Sequence, residues 1–203
     1  MNPFENDEFE EFLGIETTNM IYNNRYHDDY FRYEPTSYSG LVLAFDWLEL
    51  SSHDRVVDFG CGKGRVLFYL NQRFSCEVCG IEVDKNVYEL ALNNLAYYNT
   101  RFRSNQNKIE LILGKAEEYE IRQKDTVFYF FNPFESYIFK NIIDKIIESV
   151  KKHNRAISIV MYYPEEKYRQ YLKNKCFTLL QLVKLPSYEM DCNEKMCIYT
   201  YAV

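Results

Sequence analysis

Val56-Val57-Asp58-Phe59-Gly60-Cys61-Gly62-Lys63-Gly64-Arg65 decides the fold. The two valines sit in a short buried strand over 55–58 that ends at Gly60. Three glycines at alternate positions then allow a tight turn and let main-chain amides approach a ligand, because no Cβ stands in the way. From 63 to 74 the spacing becomes helical, with Val66, Leu67, Leu70 and Phe74 on one face. A strand, a glycine turn and a helix N-terminus in that order favour an anionic group, such as an amino-acid carboxylate. Asp58, at the strand's end, is placed to accept from an ammonium group. A dinucleotide pyrophosphate needs G-x-G-x-x-G. Here Arg65 stands where the third glycine would fall, which argues against a nicotinamide or flavin site.

The next run of sequence supplies the second half of the reading. Residues 76–82 read as a strand ending in Gly80-Ile81-Glu82-Val83-Asp84, which puts a carboxylate 24 residues after Asp58. Adjacent parallel strands bring their C-terminal ends together, so Glu82 is expected beside the glycine turn. There it can take two hydrogen bonds from vicinal ribose hydroxyls. Asp84 is the rival acid, but it precedes an amphipathic stretch with Val87, Leu90, Ala91 and Leu95 inside, which makes it the better helix cap.

Working outward, strands are expected at 109–113, 126–131 and 156–163, the last almost continuously apolar, as a central parallel strand should be. Between the latter two, 137–152 is the clearest helix. Its row of Ile138, Ile142, Ile146 and Val150 stands beside Phe139, Ile143 and Ile147. A short helix at 165–175 is followed by two β-rich runs, 177–185 and 195–202, joined by a polar turn and expected to pair as an antiparallel hairpin. Before the first strand, 36–50 reads as a helix with Leu41, Ala44, Phe45 and Leu48 inside. Alternating strands and helices closed by a hairpin imply an open, mostly parallel α/β sheet.

An apolar content of 47% in 203 residues is enough for one substantial core. The expected organisation is therefore one domain, 51–203, with an extension, 1–50, that belongs to it. Residues 1–20 carry six acids (Glu5, Asp7, Glu8, Glu10, Glu11, Glu16) and no base, so the net charge of −6 resides there and the rest balances. A neutral body is a poor partner for a long phosphate backbone. The acidic segment suggests a protein-docking arm. Met1–Met20 has neither a basic nor an apolar signal region, and no apolar run is long enough for a membrane span. With six cysteines read as reduced core residues, a cytoplasmic protein is expected. Cys76 and Cys79 point to opposite faces of a strand and lack zinc spacing, so no metal is expected.

Residues 22–38 interleave Tyr22, Tyr26, Tyr30, Phe31, Tyr33 and Tyr38 with Arg25, His27 and Arg32. Two readings stand open: an aromatic strap packed over the sheet, or a lid over ligand and substrate, with Tyr33, Thr36 and Tyr38 as its contacts. His27 is the one histidine placed to act as a base.

Residues 55–132 resemble class I S-adenosylmethionine-dependent methyltransferases. VVDFGCGKGRVLFYL matches the family's first motif, GIEVD the second, GKAEEY (114–119) the segment flanking the adenine and FFNPF (130–134) the motif after the fourth strand. YEPTSYSGL (33–41), followed by this order, resembles a bacterial branch distantly related to the non-SET histone-lysine methyltransferases. The resemblance implies a Rossmann-like seven-stranded sheet in the order 3-2-1-4-5-7-6 with helices on both faces. It also implies S-adenosylmethionine as cofactor, S-adenosylhomocysteine as product, and cofactor contacts from Asp58, Gly60, Cys61, Gly62, Gly64, Glu82, Val83, Lys115, Ala116 and Asn132.

Two departures from the family pattern matter. Lys115 replaces an acid that often accepts from the adenine amino group, so Glu117, a carbonyl or water would have to do so. Asn132-Pro133-Phe134 matches the amino-group methyltransferase motif with one proline instead of two. On one reading Asn132 orients an acceptor nitrogen while Pro133 and Phe134 line its pocket; on the other Asn132 only contacts the cofactor or caps the next helix. The expected activity is methyl transfer to a nitrogen of a protein side chain, base or small amine. The alternative is a module that binds the cofactor without transferring methyl.

Overall fold

The computed structural model describes residues 6–19, 29–103 and 108–202. Strands β1 (Arg55–Phe59), β2 (Glu77–Glu82), β3 (Ile109–Leu113), β4 (Val127–Phe131), β5 (Ile157–Tyr162), β6 (Thr178–Lys184) and β7 (Lys195–Tyr201) form one sheet. Its order is β3-β2-β1-β4-β5-β7-β6, as the resemblance implied. The first five strands run parallel; β7 is antiparallel to both β5 and β6, which makes the expected hairpin.

Strand alternation divides the core between the two faces of the sheet. Val56, Val78, Tyr129 and Val160 point to one face, where they meet Leu41, Phe45, Leu67 and Phe68. Val57, Cys79, Phe128 and Ile159 point to the other, against Phe139, Ile142, Ile143 and Ile146. The first group of helical residues comes from α2 (Tyr38–Leu48) and α3 (Arg65–Phe74), and the second from α5 (Ser136–Lys152). Cys76 and Cys79 accordingly lie in different clusters.

Helix boundaries follow local chemistry. The Ser37 side chain caps α2 by accepting from the Gly40 amide at 3.2 Å. Asp84 caps α4 (Lys85–Arg101) by accepting from the Asn86 and Val87 amides. The inner row of α4 contains the expected Val87 and Ala91, with Leu95 partly buried against the core and Leu90 half-buried, and it adds the polar Asn94 and Tyr98. Tyr98 is fully buried because its hydroxyl donates to Asn71 Oδ1 at 2.8 Å, and Asn94 because its amide donates to the Glu16 and Lys63 carbonyls. A short helix, α1 (Asn6–Leu13), was not anticipated, and α6 (Glu166–Asn174) closes the set.

Candidate functional site

The glycine turn gains its shape from β2. The Gly60 and Cys61 amides donate to the Ile81 carbonyl at 2.9 and 3.0 Å, and the Gly62 amide donates to Glu82 Oε2 at 2.9 Å. Glu82 Oε1 accepts from the Asp84 amide at 2.8 Å. The amides of Gly60, Cys61 and Gly62 thus hold the turn to the neighbouring strand, whereas the sequence alone suggests that they approach a ligand. The first turn of α3 is what remains for an anion, since its N–H groups have no partner within the helix and both Arg65 and Val66 lie in the cavity wall. Each Glu82 oxygen keeps a lone pair for a further donor.

Gly60 and Gly62 hold left-handed φ values of 83° and 57°. A Cβ on Gly62 would lie 2.3 Å from the Tyr33 ring, and one on Gly60 2.7 Å from Pro133. Only glycine meets both demands, backbone sign and closeness. Gly64 caps α3 and lies outside the cavity wall.

The sheet's C-terminal edge opens into a cavity of about 910 Å³, within the range of small-molecule sites. Asp58, Gly60, Cys61, Gly62, Glu82, Val83, Ala116, Asn132 and Pro133 all line it, as do Tyr33 and Thr36. Four expected contacts do not. Gly64 is one; Lys115 is exposed and lies outside the wall; Tyr38 is buried under α1, its ring stacked on Phe9 at 4.5 Å; Phe134 is buried in the core, edge-on to Phe130 and Tyr30. Phe134 faces inward because the Asp29–Phe31 segment is stitched across this loop. Phe31 donates to the Pro133 carbonyl and Glu135 donates to the Asp29 carbonyl.

Residues 30–36 therefore form one wall of the cavity; residues 20–28, with Tyr22, Arg25, Tyr26 and His27, lie outside the described residues. The Tyr30 hydroxyl donates to Glu117 and accepts from the Ala116 amide at 3.1 Å. Burial and the Glu117 carboxylate raise its pKa, so it stays protonated. Glu117, one expected partner for an adenine amino group, is thus engaged by Tyr30 and lies outside the wall.

The electrostatics of the turn are unusual. Asp58 is 2% exposed, and burial together with the Glu82 carboxylate pushes its pKa well above the ordinary aspartate range. Burial raises Glu82 as well, against the backbone amides that favour its charge. Burial and the same two carboxylates raise the Cys61 thiol, which leaves it unreactive. Two buried acids facing one cavity create a demand for a cation. Arg65 does not meet it: its guanidinium reaches Thr17 Oγ1, the Thr36 carbonyl, Thr18 Oγ1 and Glu10. Lys63 turns to Glu16 and the Asn19 carbonyl. Of the six N-terminal acids, Glu10 thus faces inward on Arg65, and the exposed Glu16 pairs with Lys63.

Asn132 has φ +38° and a buried Oδ1 without a hydrogen-bond partner. A buried acceptor left empty costs free energy unless a ligand donates to it. Tyr129, Phe131, Tyr162, Tyr163, Asp191 and Glu194 complete the far wall. Sequence reasoning missed them, although the hairpin signalled the last two: a strand antiparallel to β5 must begin where β5 ends. Among the described residues no group of His, Cys, Asp or Glu is placed to hold a metal, and no helix is long and apolar enough to cross a membrane.

Residues 56–155 match the family model of the methyltransferase domain. The chain is similar in fold to an S-adenosylmethionine-dependent methyltransferase from Thiobacillus denitrificans solved with S-adenosylhomocysteine (TM-score 0.58, 13% identity, 84% of this chain and 93% of that one). It is also similar to an RNA methyltransferase from Salinibacter ruber solved with the same compound (TM-score 0.54, 14% identity, 84% and 94%). A stretch of 63 residues, 30% of this chain, is 35% identical to the H3 lysine-79 specific histone-lysine N-methyltransferase of Dictyostelium discoideum, of whose length the match spans 3%.

Proposed function

We propose, from the premise that residues 56–155 form a methyltransferase domain, that this chain transfers a methyl group from S-adenosylmethionine to a nitrogen atom. One observation carries the reading: Asp58, Glu82 and Asn132, from the ends of three adjacent strands, line one cavity, and the buried Asn132 amide oxygen has no partner.

The residues present suit that cofactor. Glu82 would accept from the ribose hydroxyls with its remaining lone pairs, and Asp58 would take the ammonium of the methionine moiety. The N-terminal turn of α3 would meet its carboxylate. Val83 and Ala116 offer apolar surface for the adenine. When bound, the cofactor supplies a sulfonium methyl group that an uncharged nitrogen can attack directly. The chain's own task is then orientation and exclusion of water. Asn132 Oδ1 would accept an N–H of the acceptor and point its lone pair at the methyl carbon, while Tyr33 and Tyr30 hold the 30–36 wall over the glycine turn.

Incubation of the protein with methyl-labelled cofactor and an amine library tests this. Label should appear in a base-stable N-methyl product. Asn132→Ala should lower turnover by about 10- to 1000-fold, the scale for removing one well-placed polar group, and leave the dissociation constant for S-adenosylhomocysteine within about twofold. Base-labile label, as in a methyl ester, or unchanged turnover in that variant would contradict the acceptor role.

A further inference from the structure

The residues assigned to the cofactor occupy the end of the cavity over β1 and β2. The other end lies over β4, β5 and the start of β7, and its wall is chemically different. Phe131 and Tyr162, paired across β4 and β5, have ring centroids 4.2 Å apart, and the Tyr163 ring stands at 89° to that of Tyr162. Each tyrosine hydroxyl is fixed on a carboxylate: Tyr162 donates to Glu194 at 2.9 Å and Tyr163 to Asp191 at 2.6 Å. Rings and carboxylates are thus locked together on two neighbouring strand ends and the β6–β7 turn.

Neither carboxylate forms an ion pair among the described residues. Lys195, the nearest cation in sequence, turns its ammonium to the Cys192 carbonyl at 2.6 Å and lies outside the cavity wall. The Tyr163 hydrogen bond first, and the Lys195 charge after it, lower the Asp191 pKa, but Lys195 makes no ion pair with Asp191. The third acid here, Glu34, is already paired with Arg32. Beside them, Asn132 ends β4 with its buried, empty acceptor oxygen. Aromatic faces and carboxylates outside any ion pair are the features that bind an alkylammonium group. They repel a phosphate or a carboxylate.

We infer that this end of the cavity receives a cationic aliphatic amine as the methyl acceptor, with Asp191 and Glu194 as the residues that determine specificity. The inference rests on the methyltransferase reading and adds the acceptor's charge and class. Asp191 and Glu194 select the ammonium form on entry, and the rings of Phe131, Tyr162 and Tyr163 surround its methylene chain. Before attack the ammonium passes one proton to one of these carboxylates and on to solvent. The neutral nitrogen then takes the methyl group as the carbon–sulfur bond breaks, leaving a methylated ammonium and S-adenosylhomocysteine.

The test uses the full chain and three probes of matched length: 1,5-diaminopentane, 1,5-pentanediol and glutarate. Calorimetry with S-adenosylhomocysteine comes first and is read separately; failure to bind overturns the methyltransferase reading itself. Each probe is then titrated into the S-adenosylhomocysteine-loaded protein. The diamine should bind at least about tenfold more tightly than the diol, and glutarate more weakly than either. Glu194→Gln and Asp191→Asn, which preserve an acceptor for the tyrosine hydroxyls, should each weaken the diamine by about three- to tenfold and leave S-adenosylhomocysteine affinity unchanged. Absent diamine binding, equal binding of diamine and diol, preference for glutarate, or variants without effect would overturn the amine assignment and leave the methyltransferase reading standing.

Discussion

Asp58 concentrates the chemistry of the site in one titration. Its carboxyl is buried beside Glu82, and burial first, then that neighbour, holds its pKa well above the ordinary value of about 3.9. The free protein therefore keeps a proton on Asp58 at pH values where an exposed aspartate has lost it. A bound ammonium favours the ionised form and lowers the pKa again. Binding of S-adenosylhomocysteine should therefore release up to one proton, and affinity should rise as pH rises through the window between the bound and free pKa values. Calorimetry in buffers of different ionisation enthalpy reads this directly. Asp58→Asn should abolish the release; proton uptake by the wild-type protein would contradict the role. The sequence made Asp58, Glu82 and the glycines legible because a turn after a buried strand leaves few residue choices. It did not reveal that Glu82 holds the turn itself through Gly62, since that bond depends on register between β1 and β2.

Among the elements, the N-terminal segment departs furthest from what its composition suggests. Six acids without a base suggest a protein-docking arm, yet Glu10 at the inner face of α1 is 8% exposed and meets Arg65 at the head of α3. Arg65 links α1, the 17–18 segment and Thr36 through four acceptors, and stacks over Tyr38 at 4.6 Å. Removing one member of a buried pair leaves the other uncompensated, so Arg65→Met should destabilise the protein by about 3–5 kcal/mol. Arg65→Lys should recover little, because a point charge cannot reach a forked set of acceptors. Urea unfolding measures both; a loss below about 1 kcal/mol in the methionine variant would show that the tie is dispensable. Periodicity does not report such a contact. A cation just after a glycine turn looks the same in sequence whether it faces ligand, solvent or another helix. For the same reason the inner face of α4 shows Asn94 and Tyr98 only in the structure: they are polar by type and are buried because their partners come from distant segments.

The molecule as a whole is polarised along its strands. At their N-terminal ends Arg55, 4% exposed, is shared by Asp125, Glu77 and Glu110, and Arg122 with Arg55 holds Glu110 down to about 2. Charges there are paired, and their role is to fix the sheet. At the C-terminal ends the acids Asp58, Glu82, Asp191 and Glu194 face a cavity and form no ion pair among the described residues. The mostly parallel sheet and its closing hairpin were legible in the alternation of apolar strands and helices, while the strand order was what the family resemblance implied. The far wall was not, because it is assembled from a hairpin turn that only the closed sheet brings beside β5. The account stands on Glu82 and the glycine turn forming one nucleoside site, and titration calorimetry with S-adenosylhomocysteine on the wild type and Glu82→Ala tests that most directly. The wild type should bind one equivalent, and the variant should lose about 1–3 kcal/mol of affinity, the scale for hydrogen bonds to a charged acceptor. Equal affinity in the two proteins, or no binding by the wild type, would contradict it.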